Sequence, residues 1–170
     1  FGVALQTTGG GRFFINLAFA VLGGVRGGPA KVAIFASGLF GSLSGSVVTN
    51  VLTTGAMTIP AMKRTGYPSR YAAGIEACAS TGGVLMPPVM GATAFVMASF
   101  LEVPYIAVAT AAIVPSFLYF FALFVQIDSY AARNNVKGLP HEELPSVRKT
   151  IGEGWYYVFG FFLLVYLYKE

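Results

Sequence analysis

The sequence predicts an all-α membrane protein, in which transmembrane helices are combined with one re-entrant helical hairpin and one broken helix. Three observations predict this class. Hydrophobic residues make up 55% of the 170-residue chain and charged residues 11%, against about 25% charged in an average soluble domain, and mean hydropathy is +0.68. No Asp, Glu, Lys or Arg occurs from Val32 to Met62, and only Glu76 and Glu102 interrupt Tyr71 to Gln126; such runs exceed the roughly 20 residues that cross hydrocarbon. Inside them sit two polar or helix-breaking stretches, "GSLSGSVVTN" and "STGGVLMPP".

Residues 1–30 read as the end of a preceding membrane helix, with an apolar block from Phe13 to Gly24, followed by the cytoplasmic turn "VRGGPAK". The chain opens on Phe1 with no basic stretch ahead of that block. This is neither a signal peptide nor an ordinary start, so the sequence reads as a piece of a longer polypeptide. Arg12, beside "TTGGG", reads as an interfacial or packing residue.

Residues 31–66 pose a question of parity, because short cytoplasmic loops collect Lys and Arg. Arg26 and Lys31 form one basic cluster, Lys63, Arg64 and Arg70 a second, and Arg133, Lys137, Arg148 and Lys149 a third, whereas the loop at Glu102 has no basic residue. With all three clusters on the cytoplasmic side, Val32 to Met62 must enter and leave by one face. About 31 residues cannot cross twice, since each crossing needs about 20. A re-entrant hairpin with arms of about 14 residues, each rising about 21 Å, meets the constraint, and its tip falls near 43–47. The alternative, a single tilted span, puts two basic clusters on opposite sides.

Residues 67–101 read as a broken transmembrane helix. Gly82 and Gly83 weaken it and Pro87 and Pro88 remove two amide donors, so the break is expected near 80–88. Residues 102–130 then return as a transmembrane helix, 131–152 form a cytoplasmic linker, and 153–170 begin a further membrane helix.

Non-helical backbone at membrane depth is viable only where it is buried in protein or lines a polar cavity. Two breaks at similar depth suit an ion and substrate site of a secondary transporter. Freed carbonyls and hydroxyls replace the water around sodium, and half-helix N-termini attract an anion. Candidate ligands are Ser44, Gly45, Ser46 and Asn50 at the tip and Ser80, Thr81, Gly82, Gly83 and Met86 in the broken helix. Asn50 either reads a substrate oxygen or braces the tip. The alternative for each small residue is close helix packing. Glu76, an acid in a membrane helix, is a candidate for proton or cation coupling; its other reading is a buried partner of a basic or polar group.

Cys78 has no disulfide partner and His141 no second ligand nearby, so both read as structural. Metal binding is limited to sodium held by backbone carbonyls and hydroxyls, and no other cofactor is expected. The formal charge of +4 lies in separated clusters, which argues against a nucleic-acid surface and for a lipid bilayer as the partner.

The run from "RGGPAKVAIF" to "VMGATAF" closely resembles the large permease subunit of tripartite ATP-independent periplasmic (TRAP) transporters, most of all the fused permeases that work with TAXI-type binding proteins. The motifs "SGS…N…TIPxMKRTGY" and "EAxASTGGxxMPPVMGA" carry the resemblance, which covers at least Phe1 to Gly138. It implies one repeat, the first of two inverted repeats, of an elevator-type permease in the bacterial inner membrane, a multi-pass transporter and not an enzyme. On that family's pattern the hairpin motif falls on Ser44, Gly45, Ser46 and Asn50, and the broken-helix motif on Ser80, Thr81, Gly82, Gly83, Met86, Pro87 and Pro88. Sodium would sit between tip and broken helix, and a periplasmic substrate-binding protein would deliver an organic anion such as a carboxylate. Further implied partners are a small membrane subunit or its fused equivalent, and the remainder of the permease with the second repeat. Two alternatives stay open: a permease coupled to protons through Glu76, and a scaffold domain without transport chemistry.

Overall fold

Glycines and prolines punctuate the chain, and between them it is helical. The computed structural model describes residues 8–167, and every regular element among them is a helix: α1 (Gly10–Leu22), α2 (Gly28–Ser44), α3 (Val47–Arg64), α4 (Ser69–Gly83), α5 (Ala92–Leu101), α6 (Tyr105–Arg133), a short 3-10 turn (His141–Glu143) and α7 (Val147–Leu167), which kinks at Gly154. Phe1 to Thr7, where the resemblance begins, and Tyr168 to Glu170, the end of the expected 153–170 membrane helix, lie outside the described residues.

The two residues Gly45 and Ser46 turn α2 back into α3. Gly45 takes a left-handed conformation (φ 60°) and its N–H returns to the Gly41 carbonyl at 2.9 Å, closing α2 in the manner glycine permits without Cβ strain. Ser46 is extended and its Oγ accepts the Thr49 N–H at 3.4 Å, which caps α3. The arms hold 17 and 18 residues, about 26 and 27 Å of rise. They are roughly a turn longer than the charge pattern predicts, because Lys31 lies inside α2 and Lys63 and Arg64 inside the last turn of α3. Pro29 in the first turn favours the early start of α2.

Lys31 is only 6% exposed. Its Nζ meets Asp128 Oδ1 at 2.5 Å and lies 4.8 Å from the centre of the Phe124 ring, while Arg26 takes the other carboxylate oxygen, Oδ2. Asp128, paired with both cations, lies inside α6, which ends three residues past the expected boundary at 130, and α7 begins at Val147, so the connection is shorter than the expected 131–152 linker. Removing Asp128 strands a buried cation. Asp128→Ala is therefore expected to lower stability, read as a lower thermal-aggregation midpoint in detergent, with Asp128→Glu losing less.

The three basic clusters come together at one end of the bundle. Gly27 N–H reaches the Val136 carbonyl at 3.2 Å, Leu139 N–H reaches Gly23 at 2.9 Å, and Arg64 pairs with Glu143 at 2.8 Å. The rings of Tyr67, Tyr71 and Tyr130 stack there, with Tyr71 and Tyr130 centred 3.9 Å apart. Burial, reinforced by Tyr71, Tyr130 and Asp128, pushes the Tyr67 hydroxyl up to about 12, so it stays neutral. Small residues, Ala30, Ala33, Ala72, Ala79 and Ala131, line the core between α2, α4 and α6 and allow close helix approach.

Away from that end α4 stops at Gly83, and 84–91 are not helical. Pro87 and Pro88 cannot donate to the carbonyls four residues behind them, those of Gly83 and Val84. Met86 N–H takes the first at 3.3 Å and Gly91 N–H the second at 2.9 Å. Ser80 to Gly83 consequently form the last turn of α4, not the break. Among the described residues α6 is the one helix long and apolar enough to cross a membrane, with 29 residues and a mean hydropathy of 2.2. Its outer face exposes Val114, Phe117, Leu118 and Phe121, an apolar band suited to lipid.

Candidate functional site

The turn of the hairpin packs directly on the break in the α4–α5 segment. A Cβ on Gly45 would lie 2.2 Å from the Met90 carbonyl oxygen, so both the left-handed backbone and the contact require glycine. Val89 N–H donates to the Ser42 carbonyl at 3.0 Å, tying the break to the end of α2. One turn below, α2 and α4 touch backbone to backbone: a Cβ on Gly41 would lie 2.5 Å from Gly83 Cα, and one on Gly83 would lie 2.7 Å from the Ser37 carbonyl.

Several oxygens at this junction are unspent. Ser44 Oγ is buried without a hydrogen-bond partner. Among the described residues the carbonyls of Gly45, Met86, Pro87 and Met90 accept no hydrogen bond, whereas those of Pro88 and Val89 accept from the Tyr105 hydroxyl at 2.9 and 2.6 Å, and that of Leu85 from Ser116 at 2.6 Å. No group of three or more His, Cys, Asp or Glu side chains that would hold a metal ion occurs among the described residues. A hard monovalent cation matches neutral oxygens of this kind, and the orphaned Ser44 hydroxyl is the observation that such an ion would explain.

The candidate residues divide into those at the junction and those turned away. Ser44, Gly45 and Ser46 form the tip, and Gly83 of α4 meets α2 at Gly41, one turn below it. Asn50 is fully buried and its Nδ2 donates to the Ser37 carbonyl at 2.9 Å, so it braces the two arms of the hairpin. Met86 and Pro87 are half-buried in the break, and Pro88 is buried there. Thr81 is exposed and its hydroxyl returns to the Ala77 carbonyl at 2.8 Å. Gly82 faces α6, where a Cβ would lie 2.4 Å from the Tyr119 ring. Ser80 points to Glu76.

Glu76 is fully buried and heads a second polar centre deeper in the bundle. Its Oε1 accepts from Thr54, from Ser80 at 3.2 Å and from Ser37 at 3.3 Å, and its Oε2 from Thr58 at 2.5 Å. No ion pair to Glu76 occurs among the described residues; of its two structural readings, the polar partners are present and the basic one is not. Cys78 is exposed. Sequence reasoning missed Ser37, Thr54 and Thr58, although Asn50, Thr54 and Thr58 recur every fourth residue and so share one helix face. It also missed Tyr105 and Asp128.

A family model described as "Tripartite ATP-independent periplasmic transporter, DctM component" matches residues 1–169. Similar curated proteins include the C4-dicarboxylate TRAP transporter large permease protein DctM of Pseudomonas aeruginosa, 36% identical over 163 residues that cover 95% of this chain and 37% of the relative. The isethionate TRAP transporter permease protein DctMQ of Oleidesulfovibrio alaskensis is 39% identical over 87 residues, 51% of this chain and 14% of the relative. The ectoine/5-hydroxyectoine TRAP transporter large permease protein UehC of Ruegeria pomeroyi is 28% identical over 137 residues, 81% of this chain and 32% of the relative. The chain thus spans at most 37% of the length of these relatives.

Proposed function

The chain belongs to the DctM family of tripartite ATP-independent periplasmic transporters, and from that premise we propose that it is the hairpin and broken-helix portion of a large permease that takes up an organic anion with sodium. The family is one of transport permeases and not of enzymes. The observation that carries the reading is the meeting of Gly45 with the Met90 carbonyl beside the unpartnered Ser44 hydroxyl. Sodium bound by those oxygens draws tip and break together, and the N-terminus of α3 then offers its free N–H groups to an anion. Two of the relatives are named for C4-dicarboxylate and isethionate, both small organic anions, which supports a carboxylate or similar substrate delivered by a periplasmic binding protein.

The lengths support a re-entrant hairpin. Both arms rise about 26 Å from the basic end, while α6 rises about 43 Å from the same end, so the tip stops short of the far side. The loaded hairpin, break and α4 then slide as a unit against a scaffold made with the rest of the permease and a small membrane subunit or its fused equivalent. We place the permease in the fused, TAXI-type branch on its "STGGVLMPPVMGA" run, in the bacterial inner membrane. Coupling requires sodium to favour the substrate-competent state, each tenfold in affinity being about 1.4 kcal/mol.

The test is uptake by the full permease, with its binding protein, in vesicles carrying either a sodium or a proton gradient. Uptake is expected with sodium alone. Uptake with the proton gradient alone would instead favour coupling through Glu76, a second reading that rests on the hydroxyl ring around that carboxyl, since hydroxyls both donate and accept and suit either protonation state.

A further inference from the structure

We propose that Glu76 is a positioning residue for the tip–break junction, acting on the ion site through Thr54 and Asn50 without touching ion or substrate. The inference rests on the sodium-uptake reading and assigns the buried carboxylate a role within it. Glu76 stands on α4, but its four hydroxyl partners come from three helices: Ser37 from α2, Thr54 and Thr58 from α3, and Ser80 from α4 itself. Gly55 makes room for it, since a Cβ there would lie 3.1 Å from Glu76 Cγ. One carboxylate therefore sets the register of both hairpin arms against α4.

A continuous path leads from this centre to the junction. Thr54 Oγ1 has one proton and three acceptors in reach: Glu76 Oε1, the Asn50 carbonyl at 2.8 Å and Asn50 Oδ1 at 3.4 Å. While it donates to Glu76 it touches Asn50 without bonding it, and releasing it from Glu76 turns it onto Asn50. Asn50 Nδ2 then bonds the Ser37 carbonyl on the opposite arm at 2.9 Å. That same nitrogen would lie 2.6 Å from a Cβ on Gly83 and 2.8 Å from one on Gly41, so it sits at the backbone contact directly beneath the tip. In a dry interior a network whose members share one proton is tightly coupled, and losing one member re-aims the others. Tip and break hold their free carbonyls in place only while α2, α3 and α4 keep this register. Groups of this kind, one layer behind the ligands, typically change ion affinity when removed, not ion identity.

The experiment measures sodium-driven uptake by the full permease in vesicles as a function of sodium and of substrate. Wild-type uptake driven by sodium is the precondition, and its absence overturns the functional reading itself. With that in hand, Glu76→Ala is expected to raise the half-saturating sodium concentration at least about tenfold, while the half-saturating substrate concentration at saturating sodium and the sodium-to-substrate ratio stay as in wild type. Glu76→Gln keeps one acceptor for the three hydroxyls on Oε1 and presents a donor to Thr58, whose oxygen accepts, so it should restore near-normal sodium dependence. Thr54→Val conserves shape and cuts the path to Asn50; it should raise the sodium requirement severalfold, and it serves if Glu76→Ala does not accumulate. An unchanged sodium requirement in Thr54→Val overturns the proposal. So does a Glu76→Gln permease that is inserted but inactive, because a carboxyl that must ionise or carry a proton is then the better description.

Discussion

Gly45→Val is expected to reduce sodium-driven uptake by at least about a hundredfold, as a misplacement of about 1 Å at a reacting site does, with membrane insertion unaffected. Two separate penalties act at this position. A β-branched residue in the left-handed region costs on the order of 1–2 kcal/mol, and the added Cβ would stand 2.2 Å from the Met90 carbonyl oxygen. Backbone cannot rotate away as a side chain can, so the tip must retreat from the break. Insertion should survive because the basic end, which sets topology, is untouched. The measurement is initial uptake rate normalised to the amount of permease in the vesicle, and a rate within threefold of wild type would sink the assignment of the tip to the transport site.

Gly83→Val should be nearly as damaging, but through the helix contact. Any Cβ there meets Asn50 Nδ2 at 2.6 Å, the Ser37 carbonyl at 2.7 Å and Gly41 Cα at 3.0 Å, which forces α2 and α4 apart and breaks the Asn50 brace. Overpacking of this kind costs about 3 kcal/mol, so both thermal stability and uptake should fall. The neighbouring glycine supplies the contrast. Gly82→Ala meets the side-chain rings of Tyr119 and Phe120 and no backbone, so α6 side chains can give where the α2 backbone at Gly83 cannot, and it should lose less uptake than Gly83→Val. Equal loss in the two variants would contradict the orientation of α4 described above.

That contrast shows what the sequence discloses and what it hides. The hairpin and the break are legible because their causes are local: two prolines with no N–H, a glycine at the turn, a charge pattern with one parity. Facing is less legible. Ser80, Thr81, Gly82 and Gly83 form one motif, but successive helical residues point about 100° apart, and of the four only Gly83 meets the α2 backbone at Gly41, one turn below the tip. Glu76 is conspicuous as an acid in an apolar run, whereas its partners Ser37, Thr54 and Thr58 are ordinary hydroxyls scattered over two other helices. Asp128 falls in the last turn of the expected 102–130 helix, and nothing in the sequence pairs it with Lys31, 97 residues earlier.

The clasp of Arg26 and Lys31 on Asp128 joins positions 102 and 97 residues apart, and this separation sets an order of biogenesis. The hairpin turn closes between neighbours, so α2 and α3 pair early, while Asp128 is synthesised only at the end of α6. Until it arrives, a Lys31 drawn into hydrocarbon would cost about 2.5–3.5 kcal/mol without a counter-charge. The open end of the hairpin is therefore held at the water until α6 is seated. Arrival of Asp128 is what seals it.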